Sequence, residues 1–390
     1  MKKWAPAIKR ATAESDGSQG GEIKTRLKQA LAALRAGQLD HAETLLLETL
    51  ETHPNVAAVH LGLGNVYYRR GMLSEAQQYC NQALSLNPEL VPAKVLQGNV
   101  LADSGNAEGA LREYESAMDL DPEFIGAKLK AAHLHGKMEH LDIAEQMSRE
   151  VMEINPQALS ARLLLADTHM KRDQLDAAKE ELERAIAVNP EASVTHYRLG
   201  MVLLKRQEYA PAAERFSEVA RMKPESAAAH FFLGLSALGN EDLETAEPAL
   251  TRAISLKPDL VAAQMQLARV YEKQGNFSEA RKLLREMIRR QPRAAALHRM
   301  LADVYVAMEQ FPQALEEYEA ALHHLGARGD PIPKPLIDIR SSQGDDRSRA
   351  EAFRSAFREV KFPRPERNAG AQAGTRRRLL LRRAAENRHS

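Results

Sequence analysis

Apolar positions along this chain fall in short one-sided stripes rather than in continuous runs. Stretches such as Leu46–Leu50, Leu182–Ala185–Ile186 and Leu250–Ala253–Ile254 place apolar residues three and four apart, the spacing of an amphipathic helix with one buried face. Each stripe is preceded by a turn and a large apolar residue: Leu39, Leu73, Leu141, Leu175, Tyr209, Leu243, Phe277 or Phe311. Gly37, Gly71, Gly105 and Gly275 stand two residues before that anchor, where a preceding helix ends in a left-handed cap. The pattern therefore predicts pairs of helices joined by tight turns.

The pairs keep a fixed register. Pro54, Pro88, Pro122, Pro156, Pro190, Pro224, Pro258 and Pro292 are spaced by 34 residues without interruption. Proline lacks an amide donor and disfavours helical geometry in the residue before it, so each one stops the second helix of a pair. Twelve residues before each proline stands alanine, from Ala42 to Ala280, and Ala314 continues the series to a ninth unit where Gly326 replaces the proline. Twenty-four residues before the proline the residue is always Gly or Ala, as at Ala30, Gly64, Gly98, Gly200 and Ala302. Larger side chains there would overpack a close helix–helix contact. A fixed period of this length marks stacked units, none of which buries its apolar face alone.

These small, alanine and proline positions resemble the tetratricopeptide repeat, over nine units spanning residues 23–328. The resemblance implies an all-α fold, a right-handed superhelical α-solenoid of antiparallel helix pairs. His60, His196, His230 and His298 occupy the place of a large aromatic near the start of the first helix and are expected to pack in its stead. The first unit is atypical, with Arg26 and Gln29 at apolar positions, and the last lacks its proline; atypical ends serve as caps.

Composition narrows the function. Charges nearly cancel, 54 Lys and Arg against 53 Asp and Glu, yet they are unevenly placed. Residues 327–390 carry 16 basic and 8 acidic residues, a balance of +8, which leaves residues 1–326 at −7. The single cysteine, Cys80, excludes a disulfide framework and lies on a helix face that reads as buried. The opening MKKWAPAIKR has no apolar run behind it and no stretch is long enough to span a membrane, so a cytoplasmic protein is expected. Residues 1–22 read as a disordered segment and 329–390 as a basic, Pro-containing, largely disordered tail. Asp330–Pro335 there suggests an extended polyproline-like linker. A short amphipathic helix is expected over residues 348–360, with Phe353, Phe357 and Val360 on one face, either a cap on the last unit or a motif for another protein.

No phosphate-cradling glycine motif, Gly-x-Ser-x-Gly or His-Glu-x-x-His occurs, so catalysis is not expected and no cofactor is implied. His133, His135, His140 and His169 form the tightest histidine group, and packing is favoured over metal binding because Tyr67, Tyr271 and Tyr305 hold the same repeat position as His135 and His169.

Partner binding is the remaining function. In the family resembled, first helices line a concave groove that holds extended peptides. This implies a groove stretch containing Lys130, Lys171, Tyr197, Arg198, Met201, Lys205, Phe231, Phe232 and Leu235, an apolar patch flanked by cations. A carboxylate clamp is disfavoured, because Leu61 and Val95 stand where its lysines belong beside Asn65 and Asn99. The expected activity is that of a non-catalytic scaffold or adaptor, and homo-oligomerisation is left open. Two alternatives stand beside it. One is a peripheral membrane or nucleic-acid adaptor led by Arg376, Arg377, Arg378, Arg382 and Arg383 around three leucines. The other is a regulatory or specificity subunit of a separately encoded enzyme, such as a glycosyltransferase or envelope-assembly machine.

Overall fold

A computed structural model describes residues 19–326, 333–341, 344–358 and 360. They divide into two compact units between Thr195 and His196. The first unit holds α1 (Gln19–Arg35), α2 (Leu39–Thr52), α3 (Ala57–Arg69), α4 (Leu73–Leu86), α5 (Val91–Asp103), α6 (Ala107–Leu120), α7 (Ile125–Lys137), α8 (Leu141–Ile154), α9 (Leu159–Lys171) and α10 (Leu175–Val188). The second is opened by α11 (Ser193–Lys205) and continues through α12 (Tyr209–Met222), α13 (Ala227–Gly239), α14 (Leu243–Leu256), α15 (Val261–Lys273), α16 (Phe277–Arg290), α17 (Ala295–Ala307) and α18 (Phe311–Gly326). It ends with α19 (Lys334–Ser341) and α20 (Asp346–Phe357). No strand occurs among the described residues. Each unit is a stack of helix pairs, as the 34-residue register requires.

The prolines act as expected. The residue before each is driven out of helical geometry: Asn87 has φ −143° and ψ 95°, Asn155 φ −139° and ψ 93°. Where the ninth proline is missing, the last second helix runs on: α18 has 16 residues, against 14 in α16.

The first-to-second turns are more uniform than their residues suggest. Gly37, Gly71, Gly105 and Gly275 take φ between 76° and 86°. The same register position in the other units holds Glu139, Asp173, Gln207, Glu241 and Glu309, all with φ between 56° and 63°. Every turn thus adopts the left-handed cap, and five of them do so against the steric preference of an L-residue.

The small-residue column has a specific partner. A Cβ added at Gly98 would lie 2.4 Å from Tyr114 Cε1, and one at Gly200 2.7 Å from Phe216 Cζ. Glycine on the first helix therefore leaves room for a ring from the second helix of the same pair. Tyr114, Phe216 and Tyr318 fill the corresponding spaces and are 2% exposed or less.

Recurrent histidines are buried or half-buried, but for a polar reason. Nε2 of His60, His230 and His298 donates to the carbonyls of Pro54, Pro224 and Pro292 at 2.8, 2.9 and 2.9 Å. Arg162 and Gln264, at the same place in their units, donate to Pro156 and Pro258. The residue six after the proline ties down the inter-repeat loop, so the expectation of a simple aromatic substitute is corrected.

Both termini of the repeat array differ from expectation. Helix α1 starts at Gln19, inside the segment read as disordered; residues 1–18 lie outside the described residues. Lys334 and Pro335, read as polyproline-like linker, instead open α19, since proline fits the first turn of a helix. The short helix read at 348–360 is α20, capped by Asp345, whose carboxylate accepts from the Ser348 amide at 2.9 Å. Residues 334–341 are thus helical in place of the linker expected at their start, while 346–357 carry the short helix expected within the tail. The rest of the tail, with Arg376, Arg377, Arg378, Arg382 and Arg383, lies outside the described residues.

Helix α20 packs on α17 and α18. Phe353 and Phe357 are 0% and 1% exposed and stack on Tyr318 with ring centroids 5.5 and 5.4 Å apart. Leu336 of α19 and Ala350 of α20 join the same core. The last pair's apolar face, which a tenth unit would otherwise cover, is closed by the chain's own helix.

Candidate functional site

Within both units, first helices of neighbouring repeats approach each other directly, α1 to α3, α3 to α5, α5 to α7, α7 to α9, and α13 to α15. First helices therefore form the inner side of each stack.

On that side of the second unit, two rows of residues are repeated at 34-residue spacing. One reads Tyr197, Phe231, Met265, Arg299; the other Met201, Leu235, Arg269, Asp303. Tyr197, Met201, Phe231, Leu235 and Met265 are all half-buried. In the first unit the second row opens with Leu31 and is polar from there on: Asn65, Asn99, His133, Asp167. The first row is apolar in the first unit too, at Leu61, Val95, Leu129 and Leu163, so the second unit differs in the aromatic side chains Tyr197 and Phe231 of that row and in the apolar Met201 and Leu235 of the other.

The aromatic part of this patch is knit together. Tyr197 meets Phe216 and Phe232 edge-on with centroids 5.7 Å away, Phe232 stacks on Phe216 at 5.3 Å, and Phe231 meets Phe232 at 5.0 Å. Burial raises the Tyr197 hydroxyl pKa above its ordinary value. Phe216 is fully buried, so Phe232 is largely a packing residue, while Phe231 also packs against the core of α14 and α15. Met201 and Leu235 are the members of the patch least committed to ring stacking.

The predicted cations divide between the units. Lys130 and Lys171 belong to the first, Arg198 and Lys205 to the second. Lys130 is exposed. Lys171, the last residue of α9, reaches back to the preceding pair, where Nζ donates to the Gly136 carbonyl at 2.7 Å and pairs with Glu139 at 2.6 Å. Arg69 does the same to the Leu34 carbonyl, and Lys273 pairs with Glu241 at 3.0 Å. A cation at this register neutralises the carbonyl end or the turn of the previous first helix. Lys171 is accordingly a strut between repeats. Arg198 is half-buried, and Lys205, at the same register as Lys171, is exposed.

Other sequence candidates resolve into structure. Asn65 donates to the Leu61 carbonyl at 2.8 Å and Asn99 accepts from the Tyr114 hydroxyl at 3.0 Å, so both clamp-position asparagines are used within the fold. His135 lies beside His140, Nδ1 to Nδ1 3.3 Å, whereas His169 bonds Gln174 at 2.8 Å. No three His, Cys, Asp or Glu side chains converge as a metal site among the described residues. Cys80 is fully buried, and desolvation pushes its thiol up to about 12.

At the C-terminal end of the second unit's inner side, where the register places Arg269 and Arg299, sequence reading missed Glu272, Asp303 and Arg354. Asp303, 8% exposed, accepts from Arg299 Nη1 and from the Tyr318 hydroxyl, both at 2.6 Å. Glu272 accepts from Arg354 of α20 at 3.2 Å. Burial, then the charge of Asp303, raises the Glu272 carboxyl above its usual range, and burial raises the Tyr318 hydroxyl strongly. The Asp303 position continues the inner row, which could have drawn attention to it, but the arrival of Arg354 from 82 residues away has no sequence signal.

Profiles of the tetratricopeptide repeat match residues 137–198, 237–302 and 274–327 in one form, and 27–91 and 197–261 in another. Comparison with curated protein sequences gives no match. Among solved structures, the APC/C hetero-tetramer Cut9-Hcn1 is similar over 62% of this chain, with 17% identity and a TM-score of 0.53; the match takes in 48% of that chain. YrrB, described as a TPR protein with an unusual peptide-binding site, shares 24% identity over 48% of this chain and 97% of its own, with a TM-score of 0.40. Pseudomonas aeruginosa pilF shares 20% over 55% of this chain and 97% of its own, with a TM-score of 0.49. At these identities the Cut9-Hcn1 likeness shows the fold alone. No helix among the described residues is long and apolar enough to cross a membrane.

Proposed function

The chain belongs to the tetratricopeptide repeat family, whose stacked repeats support a protein-interaction scaffold in general, and from that premise we propose that it is a non-catalytic scaffold holding a partner segment on the inner side of its second unit. The observation that carries the reading is the half-buried apolar cluster Tyr197, Met201, Phe231, Leu235 and Met265 on first helices, in which Met201 and Leu235 stand at the register held by Asn65, Asn99, His133 and Asp167 in the first unit. Clustered apolar side chains left partly open on one face mark an interaction surface. Their aromatic members are already packed, so they are rigid anchors that lose little side-chain entropy when a partner arrives. Arg198 and Lys205 lie on α11 beside this row. Lys130 and Lys171 are not needed for this reading.

Because Phe232 and Phe216 stack, alanine at Phe231 and Phe232 would disturb the core as well as the surface. The cleaner variant is Met201→Gln with Leu235→Gln, which keeps length and helix propensity while removing apolar surface. Affinity capture followed by mass spectrometry, with helicity matched by circular dichroism, tests the proposal. The expected result is loss of the partners retained by the unmodified chain; an unchanged set of partners refutes it.

A further inference from the structure

Five charged side chains meet at the C-terminal end of the second unit's inner side, and their pairing is uneven. Arg269 and Glu272 lie one turn apart on α15, Arg299 and Asp303 one turn apart on α17, and Arg354 comes from α20. Asp303 has both oxygens engaged, one by Arg299 and one by Tyr318. Glu272 is taken by Arg354. Arg269 is exposed and has neither a hydrogen bond nor an ion pair among the described residues. Crowding by neighbouring helices, then the charge of Arg299, lowers its pKa below the usual guanidinium range. Glu272 and Asp303 attract this guanidinium without outweighing those two effects, and neither is bonded to it; an incoming carboxylate that bonds it directly adds the compensation it lacks.

The position of Arg269 gives the cation a context. It follows Met201 and Leu235 in the same register row, and Phe231 and Met265 lie in the row beside it. An extended segment crossing α11, α13 and α15 thus meets apolar surface first and an exposed guanidinium next. Helix α20 maintains this arrangement. Glu272 is the carboxylate placed three residues from Arg269 on the same helix, the spacing at which it would pair with Arg269 if left alone. Arg354 engages it instead.

We propose that Arg269 receives an acidic side chain of an extended, otherwise apolar partner segment, and that α20 keeps this cation available by holding Glu272 through Arg354. The inference rests on the groove reading above and adds the chemistry of the partner. Charge complementarity excludes a basic segment at this end: Arg269 and Arg299 would repel it, while both nearby carboxylates are already engaged.

Selection of a displayed pool of random peptides against the full chain is the test. A charge-assisted hydrogen bond to a partly desolvated guanidinium is expected to enrich Asp and Glu next to apolar residues by about fivefold or more. Arg269→Gln, an exposed change that leaves the fold intact, should abolish the acidic preference and keep the apolar one. Arg354→Gln should weaken it, because Glu272 is then free to turn to Arg269. Apolar enrichment without acidic enrichment, or an acidic preference unchanged in Arg269→Gln, overturns the inference and leaves the groove reading standing. Failure of the unmodified chain to enrich any apolar sequence overturns both.

Discussion

Replacing Phe353 by alanine should release the C-terminal helix while the repeats it covers stay folded. Phe353 is completely buried, with its ring stacked on Tyr318 and 6.3 Å from the Phe357 centroid. Burying a phenylalanine side chain contributes about 1.5–3 kcal/mol by transfer alone, and truncation within a packed core costs about 3–5 kcal/mol. Here the upper figure is not reached, since α20 can detach instead of keeping a cavity, so about 3 kcal/mol is expected. That corresponds to a roughly hundredfold shift of the local opening equilibrium. Hydrogen exchange read by mass spectrometry is the assay: peptides from residues 346–357 should exchange about a hundred times faster, with smaller acceleration in α17 and α18. Helices α13 and α14, which are not among the helices α20 packs on, should keep their protection, as expected where each repeat feels mainly its neighbours. Arg347→Ala is the control. Its guanidinium lies 5.9 Å from the Phe311 ring, and loss of that exposed contact should cost no more than about 1 kcal/mol. Protection of 346–357 within a few-fold of the unmodified chain in Phe353→Ala would refute the assignment of α20 as a docked cap.

The remaining predictions address the turns, a histidine and the cysteine. Gln207→Gly should raise stability by about 0.5–1 kcal/mol, because it relieves a φ of 61°, whereas Gly275→Ala at the same register should lower it by about 1 kcal/mol. An added Cβ at Gly275 meets nothing within 4 Å, so a neutral result in urea unfolding would show that backbone strain is not the controlling factor. His298 has its pKa raised: burial opposes its charge, but Glu317 at 2.6 Å and the Pro292 carbonyl outweigh that. A raised folded pKa stabilises fully below the ordinary value of 6.5 and less as pH climbs through the folded value. His298→Gln should therefore cost more at about pH 5.5 than at about pH 8.5 in paired thermal melts, and an equal or reversed cost contradicts the Glu317 pairing. Cys80 should resist a disulfide reagent in the native chain and react fully in denaturant, since its thiol is buried and pushed up to about 12; rapid stoichiometric reaction of the folded chain would disprove its burial.

The legibility of this chain depended on whether a feature repeats. Prolines at 34-residue spacing marked the ends of second helices, and the extended geometry of Asn87, Asn155 and Asn189 shows the steric cause at work. The four turn glycines were readable, but the same left-handed cap at Glu139, Asp173, Gln207, Glu241 and Glu309 was not, because tertiary packing overrides the preference of those residues. Recurrent histidines were readable as structural; their bond to the proline carbonyl was hidden, since it depends on where the loop folds back. For the candidate site, the apolar row was visible from register alone. The role of Lys171 as a strut and the capture of Glu272 by Arg354 were invisible, because both depend on contacts between elements far apart in sequence. The linker at Lys334 and Pro335 was misread for the opposite reason: local composition suggested an extended strand of prolines, while packing of Leu336 makes it the start of a helix.

Site-specific photo-crosslinking tests the central claim most directly. A photoreactive phenylalanine analogue is placed at Leu235, on the apolar inner row, and in a second chain at Lys282, 78% exposed on α16. Both chains are incubated with the peptide pool selected by the unmodified protein. The account predicts covalent adducts from position 235 and essentially none from position 282, with the position 235 adducts suppressed by Met201→Gln. Equal labelling of the two positions, or labelling at 282 alone, would place the partner off the inner side and contradict the account.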